Sequence, residues 1–452
     1  MLLLTHPLSL LSLLSLLTLS PLLSTSLSTA TPTPNYLKLP LLLLPSSSSP
    51  SLCSLNHHRL KNKTTANLPL SSGASTGSGQ YFTALLLGSP PQPLFLIADT
   101  ASDLVWVKCS ACRNCSSSSA HNPNSTFFPR HSSSFSPHHC FDSACQLVPH
   151  PNRSHCNRTR LHSPCRYDYS YADGSDTTGF FSRETTAFNT SSGAQVKHEG
   201  LAFGCAFTVS GPSLTGPSFN GAHGVLGLGR GPISLPSQLG GRFGNKFSYC
   251  LMDYTLSPTP TSYLLIGGGN VTGAGKKPMK YTPLLINPLS PTFYYIAIES
   301  VYVGGVKLRI NPLVWALDES GNGGTVVDSG TTLTFLADPG YRKILTAFKQ
   351  RVKLPQPAEP TLGFDLCVNV SGVSRPSLPR LSFKLFGGSA FAPPPRNYFV
   401  DTADGVKCLA LQPVSSPSGF SVIGNLMQQG FLFEFDRDRS RLGFSRHGCA
   451  VL

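Results

Sequence analysis

Two stretches of this chain share one pattern of apolar and polar positions. Leu94-Phe95-Leu96-Ile97-Ala98 is an apolar run, Asp99-Thr100-Ala101-Ser102 a short polar turn, and Leu104-Val105-Trp106-Val107 apolar again. Much later, Thr325-Val326-Val327 leads into Asp328-Ser329-Gly330-Thr331 and leaves through Leu333 and Phe335. Aligned on their Asp residues, the turns match as hydroxyl on hydroxyl (Thr100, Ser329), small on small (Ala101, Gly330) and hydroxyl on hydroxyl (Ser102, Thr331). Apolar runs bounded by turn residues read as buried strands. The repeat predicts two similar lobes, each presenting one carboxylate at the tip of a pair of strands.

Other segments extend the β reading. Residues 79–92 read as a strand ending in the tight turn Gly88-Ser89-Pro90-Pro91-Gln92. Residues 166–179 alternate, turn at Asp173-Gly174 and return as a hairpin. Gly224-Val225-Leu226-Gly227-Leu228-Gly229 suggests a phosphate loop, but the dinucleotide fingerprint and a surrounding βαβ pattern are missing. The better reading is a strand of apolar-apolar-Gly type, Val225-Leu226-Gly227, threading the first Asp turn. Val422-Ile423-Gly424-Asn425 is its counterpart in the second half. Residues 232–240 and 340–352 read as short helices, and 431–444 as a closing hairpin. Only 12% of the 452 residues are charged, against 41 Gly and 39 Pro, which suits a turn-rich all-β protein.

The N-terminus changes the compartment. Residues 1–30 are Leu- and Ser-rich and end in Ser28-Thr29-Ala30, which reads as a secretory signal. Pro7, Pro21 and the interspersed hydroxyls argue against a membrane span, and the C-terminus lacks a hydrophobic tail, so no anchor is expected. Residues 31–70 turn basic at His57-His58-Arg59-Leu60-Lys61-Asn62-Lys63 and read as a propeptide or a leader without inhibitory function. Setting aside Cys53 in this leader, 12 of the 13 cysteines remain, an even set compatible with disulfides. Cys109-x2-Cys112-x2-Cys115 has no partner pair at metal-finger spacing, so no metal is expected. Loop lengths suggest Cys145–Cys156 nested inside Cys140–Cys165, though spacing leaves the pairing open; Cys367 and Cys408 are a candidate pair. Eight Asn-x-Ser/Thr sites, at Asn62, Asn114, Asn124, Asn152, Asn157, Asn189, Asn270 and Asn369, mark candidate glycan loops. The net charge of +14 suits acidic polymers such as cell-wall polysaccharide, or simply a solvated basic surface. Its scatter along the chain disfavours nucleic acid.

The two turns resemble the D-T-G-S and D-S-G-T motifs of pepsin-like aspartic proteases, and the details are closest to the plant nepenthesin-type branch. The resemblance covers about residues 79–449. It implies an all-β bilobal fold with a cleft between two pseudo-symmetric lobes, residues 71–280 and 281–452. It places a cysteine-rich insertion at 108–165 and a substrate-covering flap at 166–180. Tyr171 takes the place of the flap tyrosine and Trp106 that of its hydrogen-bonding partner. The interval from Asp328 to Gly424 leaves no room for the saposin-like insert of typical vacuolar plant aspartic proteases. In such zymogens a basic prosegment lies over the acidic cleft, as the 57–63 stretch is placed to do.

The implied chemistry follows from two carboxylates in one site. They repel, so the pair holds one proton near acidic pH. The ionised partner takes a proton from water, and the protonated one donates to the peptide carbonyl. Asp99 and Asp328 are the expected catalytic pair. Thr100 and Ser329 would brace the loops, and Ser102 and Thr331 would hold the carboxylates. Neither cofactor nor metal is called for. The expected partners are polypeptide substrates and pepstatin-type inhibitors, and the expected state is a secreted monomer in the apoplast or cell wall, with the vacuole as the other destination. One residue departs from the family: Ala101 stands where Gly is usual, and a Cβ is costly only if the turn needs positive φ or a close backbone approach. The alternative reading is a pepsin-fold protein that binds and inhibits glycoside hydrolases.

Overall fold

The computed structural model describes residues 79–113, 115, 126–150, 162–189, 195–216, 219, 222–253, 262–267, 279–359, 361–414, 416, 419–446 and 449, with the backbone of 37–42. Residues 1–30, read above as a secretory signal, and the basic 57–63 stretch lie outside the described residues, as do six of the candidate glycan sites: Asn62, Asn114, Asn124, Asn152, Asn157 and Asn270.

In chain order the strands that build the first half are β1 (Leu37–Leu42), β2 (Phe82–Leu87), β3 (Gln92–Asp99), β4 (Trp106–Arg113), β5 (Arg166–Ser170), β6 (Asp176–Asn189), β7 (Gln195–Ser210), β8 (Gly224–Gly227), β9 (Lys246–Cys250) and β10 (Ser262–Ile266). The second half contributes β11 (Tyr295–Ile296), β12 (Thr325–Val327), β13 (Thr334–Leu336), β14 (Leu411–Pro413), β15 (Ser421–Ile423), β16 (Phe431–Asp436) and β17 (Arg441–Arg446). Helix α1 (Leu235–Phe243) and helix α2 (Gly340–Arg351) lie close to the positions predicted for them.

Each Asp turn is built the same way. β8 lies parallel to β3, with Asp99 opposite Gly227, and antiparallel to β4. β15 lies parallel to β12, with Val327 opposite Ile423, and antiparallel to β13. The two glycines are where the threading strand meets the turn. A Cβ on Gly227 would lie 2.8 Å from the Leu104 amide, and one on Gly424 would lie 2.7 Å from the Thr332 carbonyl, both too close. That is why the pattern is apolar-apolar-Gly in both halves.

Residues 431–446 form the expected hairpin, and it is joined to the first half. β16 pairs with β9 from Lys246–Asp436 to Cys250–Leu432, inside one large sheet. Aromatic packing fastens this junction: Phe247 stacks on Phe435 at 4.5 Å, and Tyr294 meets Phe435 at 4.5 Å. Such pairs contribute about 0.5–1.5 kcal/mol beyond burial. The Cys250–Cys449 disulfide closes the same junction.

The leader contributes a strand that its sequence did not suggest. β1 inserts between β10 and β2, antiparallel to both, with Leu37 opposite Ile266 and Leu42 opposite Phe82. Pro40 faces Tyr263 within it and has no N–H to donate.

The disulfides correct one expectation. Cys145 bonds Cys165, so the nested arrangement is not formed, and Cys140 is bonded elsewhere. An isolated bridge between His139 and Pro164 brings the two segments together. The Cys140 amide donates to Ser163 O at 2.8 Å and the Cys165 amide to His138 O at 2.7 Å, which turns Cys165 toward the buried Cys145. The thiols of the Cys-x2-Cys-x2-Cys stretch are committed to disulfides, as Cys109–Cys205 and Cys112–Cys115. Cys367 bonds Cys408, as expected. Among the described residues no helix is long and apolar enough to cross a membrane.

Candidate active site

The two Asp turns meet. Asp99 is 7% exposed and Asp328 6%, and their side chains hydrogen-bond to each other. The bonds to the two carboxyl groups from within their own turns occur in matching sets. The Ala101 amide donates to Asp99 Oδ1 at 2.9 Å, and the Gly330 amide to Asp328 Oδ1 at 2.7 Å. Ser102 Oγ donates to Asp99 Oδ2 at 2.5 Å, and Thr331 Oγ1 to Asp328 Oδ2 at 2.5 Å.

Thr100 and Ser329 lock the turns together by crossing between lobes. The Ser329 amide donates to Thr100 Oγ1 at 2.9 Å, and the Thr100 amide to Ser329 Oγ at 3.1 Å. Their hydroxyls then donate onward, Ser329 Oγ to Ala98 O at 2.7 Å and Thr100 Oγ1 to Val327 O at 3.2 Å. Both residues are fully buried, so each unmade bond would leave a desolvated polar group, at a cost of about 1–3 kcal/mol. The lobes are therefore held in register at the carboxyls.

Ala101 fits its turn. Ser440 is the only non-glycine residue at positive φ among the described residues, so Ala101 carries no left-handed strain. Gly330 has less freedom. A Cβ there would lie 2.8 Å from Asp99 Cγ and closer still to its Oδ1.

The hairpin read above as a flap brings Tyr171 within electrostatic reach of Asp99. Between β5 and β6 the Tyr171 amide donates to Ser175 O at 2.8 Å, and Gly174 takes φ +80° at the tip. Asp173 Oδ1 accepts the Ser175 amide at 3.0 Å, the local bond that fixes Asp-Gly turns. Trp106 Nε1 donates to Tyr171 Oη at 2.7 Å, so the predicted aromatic pair is joined. Trp106 also stacks on Phe219 at 5.9 Å.

Several supporting residues escaped the sequence reading. The buried Gln428 donates to the Asp328 and Ile423 carbonyls, both at 2.9 Å, and accepts from Tyr249 Oη. Asn425 donates to Ser329 O at 3.0 Å and Gly79 O at 2.9 Å. Asp103 accepts from Thr292 Oγ1 at 2.6 Å and the Gly231 amide at 2.8 Å, and its own amide donates to Tyr169 Oη at 3.0 Å. Apart from Ile423, their partners are far away in the chain. The one available signal was the buried amide or carboxyl beside an otherwise apolar motif.

Burial raises all three carboxyls. It is the largest influence on Asp99, partly offset by the bonds from Ser102, Ala101 and Asp328. On Asp328, burial and then the Asp99 charge hold the carboxyl well above its usual range. Asp103 is raised by burial against the pull of Thr292, Gly231 and Arg437. Two like carboxyls this close share one proton, so the pair titrates as a unit. Such a pair has a base and an acid side by side.

A bilobal β fold whose two lobes each bring one Asp turn to a shared pair defines the pepsin-like aspartic protease class. Known proteins agree. The chain matches the families described as "Xylanase inhibitor N-terminal" over residues 81–268 and "Xylanase inhibitor C-terminal" over 293–446. It is 38% identical to "Aspartyl protease family protein 2" of Arabidopsis thaliana, over 84% of this chain and 73% of that one. It is 36% identical to "Aspartic proteinase nepenthesin-1" of Nepenthes gracilis, over 83% and 79%. Among solved structures it is similar in fold to edgp (TM-score 0.68, 22% identity, 91% of this chain and 95% of that one). It is likewise similar to basic 7S globulin from soybean (0.64, 20%, 91% and 96%). The chain belongs to the pepsin-like aspartic protease family, in the company of the plant nepenthesins.

Proposed function

We propose that this chain is a secreted aspartic endopeptidase that hydrolyses peptide bonds at acidic pH with Asp99 and Asp328 as its catalytic dyad. The observation that carries this is the duplicated hydrogen-bond set that holds both carboxyls, complete despite Ala101. A water held by the pair gives one proton to the ionised carboxylate while its oxygen attacks the peptide carbonyl. The protonated carboxyl gives its proton to the carbonyl oxygen, forming a tetrahedral diol. Collapse of the diol returns one proton to the dyad and passes one to the leaving amine, which breaks the C–N bond and restores the single shared proton. No acyl-enzyme forms. Tyr171, held by Trp106, closes the flap and excludes water.

Secretion is supported by the N-terminal segment and by the five disulfides among the described residues. The apoplast or cell wall is the proposed destination. Synthesis as a zymogen is supported by β1, which ties a segment upstream of the proposed processing near residue 70 into the sheet.

A second reading is a pepsin-fold inhibitor of glycoside hydrolases, favoured by the names of the matching family models. One mixture separates the two. The processed protein is incubated at acidic pH with a xylanase, and xylanase activity and breakdown of a denatured protein are both read. Breakdown of the protein without stoichiometric loss of xylanase activity supports the peptidase. Stoichiometric inhibition without proteolysis overturns it in favour of the inhibitor.

A further inference from the structure

A groove of about 450 Å³ runs along α2 on the second half of the chain, built from elements other than the Asp turns. α2 forms one wall and residues 308–309 the other. Four cations line it: Arg309, Arg342, Lys343 and Arg351. Among the described residues the one carboxylate paired with any of them is Asp338, with Arg342 at 2.7 Å. Lys343 Nζ turns to Arg309 O at 2.5 Å, and an Arg351 guanidinium N–H to Ala347 O at 3.1 Å. Backbone carbonyls hold these two heads without neutralising them.

Helix physics does not ask for this arrangement. The N-terminal turn of a helix prefers acidic residues and its C-terminal turn basic ones. α2 has no acidic residue in its first turn and none in its 12 residues. Arg351 gains from the helix C-terminus, whereas Arg342 and Lys343 stand near the unfavourable end and Arg309 belongs to the facing segment. Near Arg351, Gly304 at φ +61° brings the adjoining turn against the arginine arm; a Cβ there would sit 3.0 Å from its Cδ.

We propose that this groove binds an acidic polysaccharide, a chain of uronic acids. Planar guanidinium groups match carboxylates with two parallel hydrogen bonds, and a polyuronate repeats carboxylates along its length. A protein partner would be expected to need an aromatic anchor pocket, and no aromatic residue lines this groove. The secretion proposed above, with which the disulfides are consistent, would keep the protein away from nucleic acid.

The test is binding of oligogalacturonate to the full chain at low salt and about pH 6, where its carboxyls are ionised. The groove variant combines Arg309→Gln, Lys343→Gln and Arg351→Gln. A comparison variant removes three exposed cations elsewhere: Arg130→Gln, Arg183→Gln and Lys197→Gln. Thermal melts confirm that both are folded. Expected are binding of oligogalacturonate but not of its methyl ester, at least about tenfold weaker binding in the groove variant, and less than about threefold in the comparison variant. Equal losses in the two variants, no loss in the groove variant, or no binding by the parent protein would overturn the site. Poly-glutamate bound as tightly as oligogalacturonate would overturn the polysaccharide and leave an acidic protein as the occupant.

Discussion

Gly330 and Ala101 occupy equivalent turns with unequal tolerance. The Gly330 position lies against the Asp99 carboxyl, so Gly330→Ala must displace that carboxyl or the turn. It is expected to lower kcat/KM by about 10² or more, the scale of a misplaced catalytic group. Ala101→Gly is expected to leave kcat/KM within a few-fold and to lower stability by about 0.4–1 kcal/mol, because glycine adds freedom to the unfolded chain. Steady-state kinetics and melts on both variants check this; a loss of activity in Ala101→Gly comparable with that in Gly330→Ala would contradict it. The pair also has a pH signature. Asp328 is raised above its unfolded value, so the folded state binds that proton more tightly. The stability it contributes is complete below the unfolded value near 4 and is lost as pH rises through the raised one. His223 acts in the opposite sense: burial, then Lys108, lower it to about 4, so its contribution is lost as pH falls from about 6.5 toward about 4. The clean reading is therefore a difference. The melting temperature of the parent protein relative to Asp328→Asn should fall from about pH 4 toward neutrality, while His223 cancels. A constant difference would show that the carboxyl is not raised.

Among the elements, the hairpin that carries Tyr171 is tied to β4 by the Trp106 side chain. Trp106→Phe keeps the ring in its apolar setting but removes the donor to Tyr171 Oη. A lost neutral hydrogen bond is worth about 0.5–1.5 kcal/mol, so kcat/KM is expected to fall about 2–12-fold with the fold intact. An unchanged value would separate Tyr171 from substrate handling. The Asp turns, their threading strands and this aromatic pair were legible in the sequence because each is a short local pattern, and the first two occur twice. The closing hairpin was legible for the same reason, but its pairing with β9 was not. β1 was hidden because its partners lie at residues 82–83 and 262–266, and strand partners do not announce themselves locally. The Cys145–Cys165 pairing was not legible because it depends on how two loop segments meet, and loop length alone does not show that. Gln428, Asn425 and the Asp103–Thr292 bond went unread because a buried amide or carboxyl shows its purpose only beside its distant partners.

For the whole molecule, β1 makes the leader part of the fold. A chain that starts at Gly79 exposes the facing edges of β2 and β10, two rows of unpaired backbone groups. It is expected to refold in lower yield and to aggregate more than the chain that includes residues 37–42. Equal yields from light-scattering and refolding assays would show that β1 is dispensable. The central claim is that two lobes meet to form one catalytic dyad, and one measurement tests it most directly. The protein freed of residues 1–70 is brought to about pH 3–4, near the ordinary carboxyl values, and cleavage of a denatured protein is followed with and without pepstatin, beside Asp99→Asn. The expected result is pepstatin-sensitive cleavage that Asp99→Asn loses by about 10²–10⁴-fold, the usual worth of a positioned acid–base group. No cleavage by the processed parent protein, or equal cleavage by Asp99→Asn, would contradict it.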